Sequence, residues 1–149
     1  MTKSLPPKSL VLYADDDADD RDLIADAFRE FSSSIELVTF HEGEALLHFM
    51  ENLTPLQPSP CLIILDINMP RLDGKETLQK IRAMNEYANV PAVLFTTSTL
   101  PSEAEFARCY DAGFVTKPLH NRQIRLIIHE LIEHCTDEVK EKIRRQRDH

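Results

Sequence analysis

One stretch constrains this chain more than any other: Cys61-Leu62-Ile63-Ile64-Leu65 runs straight into Asp66. An unbroken apolar run of this length predicts a strand covered on both faces, as in parallel sheets. Pro70 and Gly74 follow closely and stop the extended run. Asp66 therefore falls at the carboxyl end of a central strand, the edge at which open α/β sheets collect ligands. Turns also favour aspartate for its own sake, so the weight of Asp66 depends on what lies near it.

The same pattern recurs along the chain. Leu10 to Ala14 is a short apolar run that ends in Asp15-Asp16-Asp17. Asp19 to Phe31 carries Leu23, Ile24, Ala27, Phe28 and Phe31 at helical spacing. Acids at that helix's start suit its free N–H groups and its dipole, which accounts for Asp17, Asp19 and Asp20. Asp15 and Asp16 still belong to the strand end. Strands are predicted over Ile35–Phe40, Cys61–Asp66, Ala92–Thr96 and Phe114–Thr116, and helices over Gly43–Asn52, Lys75–Met84 and Pro101–Tyr110. A last helix is capped by Asn121. Strand and helix alternating five times predict one α/β domain, a parallel sheet with helices on both faces and right-handed crossovers.

Composition narrows the function. A net charge of -8 argues against non-specific nucleic-acid binding. Cys61, Cys109 and Cys135 are far apart, which fits neither a disulfide framework nor a zinc site. Met1–Ser9 lacks the apolar core of a signal peptide, and no run reaches membrane-spanning length. A cytoplasmic protein with no membrane partner is expected.

The strand ends then converge. The first ends in Asp15 and Asp16, the third in Asp66, the fourth in Thr96 and the fifth in Lys117. A parallel sheet lines all of them along one edge. Crowded carboxylates raise one another's pKa, and a divalent cation relieves the repulsion. An oxygen-only donor set favours Mg²⁺. An aspartate can attack phosphorus to give an acyl phosphate, and phosphoryl transfer asks chiefly for positioning and positive charge. Mg²⁺ and Lys117 would supply the charge, and Thr96 a hydrogen bond.

Leu12-Tyr13-Ala14-Asp15-Asp16, Leu65-Asp66-Ile67-Asn68-Met69-Pro70 with Leu72-Asp73-Gly74, Thr96-Thr97 and Lys117-Pro118 together resemble the response regulator receiver domain of two-component signalling. The resemblance runs from about Leu10 to Cys135. It implies a flavodoxin-like (βα)5 doubly wound sheet of strand order 2-1-3-4-5. It also implies Asp66 as phosphoacceptor, Lys117 as phosphate partner, Thr96 as switch hydroxyl and Phe114 as switch aromatic. Asp16 would bind Mg²⁺ directly, Asp15 through water, and Asn68 through its main-chain carbonyl. The donor would be a histidine kinase or a histidine phosphotransfer protein. Phe114 departs from the hydroxyl-bearing aromatic common in the family, and Tyr110-Asp111-Ala112-Gly113 departs from its usual loop.

The expected organisation is a polar lead-in (1–9), a receiver domain (10–135) and a charged helical extension (136–149). Too little chain follows Lys117 for a separate output domain, so a protein-binding surface of the receiver itself is expected to carry the output. Val139 and Ile143 continue the Cys135 stripe, which leaves a homodimer open. No turnover of an external substrate is expected. The competing reading is a pseudo-receiver, a constitutive interaction module without phosphorylation; the intact set of Asp15, Asp16, Asp66, Thr96 and Lys117 speaks against it. An Asp-nucleophile phosphatase would need a general-acid aspartate two residues beyond Asp66, where this chain has Asn68.

Overall fold

The computed structural model describes residues 8–54, 59–118 and 123–133. Strands β1 (Ser9–Ala14), β2 (Ile35–Phe40), β3 (Pro60–Leu65), β4 (Ala92–Thr96) and β5 (Gly113–Thr116) form one sheet. Every pairing is parallel, and the order is 2-1-3-4-5. Helices α1 (Ala18–Phe28), α2 (Gly43–Glu51), α3 (Gly74–Ala83), α4 (Pro101–Cys109) and α5 (Ile124–Glu133) follow strands β1 to β5 in turn. The (βα)5 alternation is as the sequence pattern implies, and the strand order is the one the family resemblance implies.

Alternation along each strand divides the core in two. Val11, Tyr13, Leu62, Ile64, Val93 and Phe95 face α1 and α5, where they meet Ile24, Phe28, Ile127 and Leu131. Leu10, Leu12, Ala14, Ile63, Leu65 and Leu94 face the other way, toward Leu46, Met50, Leu78, Ile81 and Ala107 of α2, α3 and α4. The central strands are thus apolar on both sides, and that is why Cys61 to Leu65 shows no polar alternation. Chain order reverses at β1, which opens the crevice between the ends of β1 and β3.

The helix expected over Asp19–Phe31 is shorter. It ends at Phe28 and tightens into a 3-10 turn, Arg29–Phe31. The Ser32 and Ser34 N–H groups close back on the carbonyls of Arg29 and Phe31, and the tighter turn keeps Phe31 buried. The third strand starts at Pro60 and stops at Leu65, one residue before Asp66. The Asn121 cap and the 136–149 extension lie outside the described residues.

Candidate functional site: an acidic cleft around one lysine

Register builds the site. Ala14 lies beside Leu65, so the next residues, Asp15 and Asp66, emerge side by side. Main-chain bonds carry the ladder one residue further: the Asp66 N–H donates to the Ala14 carbonyl (3.0 Å), and the Asp15 N–H to that of Phe40 (3.0 Å). On the far side Thr96 pairs with Thr116, and the Lys117 N–H donates to the Thr96 carbonyl (2.7 Å). Lys117 is thereby aimed back over the cleft.

Local chemistry fixes the loops. Asp17 caps α1, accepting from the N–H groups of Asp19 and Asp20. Asp73 and Glu76 form a reciprocal capping box at the start of α3, so Asp73 serves the helix end and not the cleft. The Gly74 N–H donates to the Ile67 carbonyl (2.9 Å), and a methyl at Gly74 would collide with the Asp66 carbonyl. Gly74 lets α3 approach the phosphoacceptor candidate's own backbone. Arg71 holds a left-handed conformation (φ 65°) in the same loop.

Asp15 is fully buried and saturated with donors. Its Oδ1 accepts from the Asp17 N–H (2.9 Å), and its Oδ2 from the Tyr13 hydroxyl (2.6 Å) and Lys117 Nζ (2.7 Å). Asp16 is exposed. Asp66 is 5% exposed, with Oδ2 3.4 Å from Lys117 Nζ. Lys117 also pairs with Asp20 at 2.9 Å, and its ammonium stands 5.7 Å from the centre of the Phe95 ring. Thr96 is buried, and its Oγ1 accepts from the Ser98 N–H at 3.2 Å. Phe114 pairs with Leu94 and is half-buried against the core on the α2–α4 side. Asn68 lies exposed two residues past Asp66.

Electrostatics follow from these positions. Burial, then the Asp15 charge, push the Asp66 carboxyl up to about 7 against a smaller opposing pull from Lys117. Burial alone would lower the Lys117 pKa; its bonds to Asp15 and Asp20 outweigh burial and hold the ammonium above its usual range. Burial, and then Asp15, drive the Tyr13 phenol well above its ordinary value. The ammonium serves Asp15 and Asp20 first, so Asp66 keeps most of the repulsion.

One oxygen from each of Asp15, Asp16 and Asp66 lies within 4.8 Å of the others. Three hard carboxylate donors, with repulsion expressed at Asp66, fit a divalent cation of oxygen preference. Asp15 already has three donors, while exposed Asp16 and less-served Asp66 keep more lone pairs free for such an ion.

The residues expected to converge do so: Asp15, Asp66 and Lys117 touch or nearly touch, Asp16 lies within reach, and Thr96 ends the neighbouring strand. Two participants escaped the sequence reading. Asp20 reads as a helix-start acid, and no sequence signal separates it from Asp19. Tyr13 reads as part of an apolar strand, although its place two residues before Asp15 puts both on one face.

A doubly wound sheet with paired acids at the β1 end, one at the β3 end and a lysine after β5 defines the class: a receiver-type signalling domain. The chain belongs to the response regulator receiver domain family, whose model matches residues 11–129. It is 34% identical over 98 residues to the response regulator Rcp1 of Synechocystis sp., a match covering 64% of this chain and 66%, just under two thirds, of that relative. Among solved structures it resembles the phosphorylated cyanobacterial phytochrome response regulator RcpA. That match has a TM-score of 0.78 and 22% identity, over 89% of this chain and 96% of the other. It also resembles the Mn²⁺-bound form of Rcp1, with a TM-score of 0.74 and 24% identity, over 85% and 93%. Among the described residues, no helix is long and apolar enough to cross a membrane.

Proposed function

We propose that the chain takes a phosphoryl group onto Asp66 and uses the change to alter a protein-binding surface. The observation that carries this reading is the pairing of Asp66, buried and underserved in charge, with Lys117 at 3.4 Å. An Asp66 oxygen would bond to phosphorus as the phosphorus–nitrogen bond of a phosphohistidine breaks. The freed imidazole then takes up a proton. The donor is a histidine kinase or a histidine phosphotransfer protein. Asp16 and Asp66, with Asp15 behind them, would hold Mg²⁺ together with the Asn68 main-chain carbonyl. When bound, the cation neutralises charge on the phosphoryl oxygens.

Phosphorylation adds roughly -1.5 to -2 of charge and three strong acceptors at Asp66. The Thr96 hydroxyl would turn toward them, and half-buried Phe114 would move into the space that Thr96 vacates. The surface formed by β4, α4 and β5 is the readout. Rcp1, a relative of similar length, is a response regulator, which fits a protein that accepts a group and does not turn over an external substrate.

The test is incubation with Mg²⁺ and acetyl phosphate, read by intact mass beside Asp66→Asn. We expect a metal-dependent gain of one phosphoryl group that the variant lacks. A gain of equal size in the variant would move the acceptor elsewhere. No gain with acetyl phosphate or a phosphorylated histidine donor would favour the pseudo-receiver.

A further inference from the structure

We propose that Asp20 is a latch on Lys117, a positioning residue that holds the ammonium away from Asp66 and is displaced when Asp66 is phosphorylated. The inference rests on the reading of Asp66 as phosphoacceptor and adds a fourth carboxylate to the site.

Lys117 has three anionic neighbours at graded distances: Asp15 at 2.7 Å, Asp20 at 2.9 Å and Asp66 at 3.4 Å. An ammonium has three N–H donors, and the two short contacts take the better share of them. The phosphoryl group brings strong acceptors to the most distant partner, so the ammonium must give up one of its nearer bonds. The two near bonds differ in how easily they break. Asp15 is fully buried, and Tyr13 and the Asp17 N–H grip it from two sides. A carboxylate stripped of its cation there would be costly. Asp20 sits on the first turn of α1 with its side chain one-third exposed, so water can replace the lysine. A small cavity lined by Asp20, Leu23, Phe95, Lys117 and Pro118 adjoins the pair and gives both side chains room to move. The Asp15 bond is the tether, and the Asp20 bond is the one exchanged for a phosphoryl contact.

The latch therefore taxes each transfer. With acetyl phosphate, an Asp66 oxygen bonds to phosphorus as the phosphorus–oxygen bond to the acetyl group breaks and acetate leaves. Lys117 must reach the transferring group while Asp20 competes for it. Asp20→Asn removes the competitor. We expect the initial rate of phosphorylation to rise roughly 2–5-fold, the range that an ion pair with a partly exposed partner sustains.

Loss of any nearby negative charge could speed the approach of an anionic donor, so the control is Asp19→Asn. Asp19 is exposed, lies in the same helical turn, and is not a partner of Lys117. Initial rates with acetyl phosphate and Mg²⁺ would be measured for the wild type, Asp20→Asn, Asp19→Asn and Asp20→Glu, with thermal melts to confirm folding. A faster Asp20→Asn, an unchanged Asp19→Asn and a return toward wild type in Asp20→Glu would support the latch. Equal acceleration in both Asn variants would overturn it in favour of general charge repulsion. An Asp20→Asn rate at or below wild type would also overturn it, assigning Asp20 to productive placement of Lys117. A wild type that gains no phosphoryl group from acetyl phosphate or from a phosphorylated histidine donor would instead sink the phosphoacceptor reading, and the latch with it.

Discussion

Asp66 should weaken the fold at neutral pH, and replacing it should strengthen it. Its carboxyl is raised from 3.8 to about 7, first by burial and then by Asp15. The folded protein therefore binds this proton more tightly than the unfolded chain does. Stability from this group falls as pH rises from about 4 toward 7, and the full penalty stands above pH 7. At about 1.4 kcal/mol per pH unit, the displacement sets a ceiling of about 4 kcal/mol. Asp66→Asn keeps the shape but takes one of three anionic neighbours from Lys117, and the mouth of the cleft is open to screening ions. We expect about 1–2 kcal/mol to survive. The assay is urea unfolding of wild type and Asp66→Asn in EDTA-containing buffer between pH 4 and pH 8. The variant's advantage should be small at pH 4 and grow to a plateau by about pH 7. Parallel curves across that range, or an advantage that shrinks as pH rises, would refute the electrostatic account of Asp66.

Further expectations concern the groups around it. Gly74→Ala places a methyl against the Asp66 carbonyl; we expect a loss of about 1–3 kcal/mol in urea unfolding, with slower phosphorylation as Asp66 shifts. Tyr13→Phe removes one donor from buried Asp15 and should cost about 1–3 kcal/mol in the same assay, while Phe fills the same core volume. Mg²⁺ should raise the wild-type melting temperature, by about 2.7 kcal/mol of stability at a hundredfold excess over its dissociation constant. Asp16→Asn should blunt that rise, and EDTA should reverse it; a wild type insensitive to Mg²⁺ would remove the metal from the scheme.

How legible the site is depends on which kind of contact makes it. Asp15, Asp66 and Lys117 could be placed from the sequence because each ends or follows an apolar run, and parallel register brings such ends to one edge. The two-sided core was legible for the same reason, since Leu62 to Leu65 alternate between faces that are both covered. Tyr13 was within reach of the same reasoning: residues two apart on a strand share a face, so its hydroxyl belongs beside Asp15. The Asp20 contact was not legible. It depends on where the first turn of α1 lands over the end of β5, 97 residues later, and that is a matter of packing rather than period. The shortened end of α1 is of this kind too, since the turn at Arg29–Phe31 is set by the need to bury Phe31.

The surplus of acid explains why such a cleft can act as a switch. Three carboxylates, Asp15, Asp20 and Asp66, meet the one ammonium of Lys117, and a fourth, Asp16, stands close to Asp15 and Asp66. A site built for stability alone would match its charges or leave them in water. This one keeps Asp66 close to a cation already committed elsewhere, so the resting state holds an unmet demand for positive charge. A divalent ion would answer part of that demand. A phosphoryl group on Asp66 would renew it and would outbid the weakest existing partner for Lys117. The direction of the switch thus follows from which carboxylate is least tightly held: Asp15 is locked by Tyr13 and the α1 cap, and Asp20 is not.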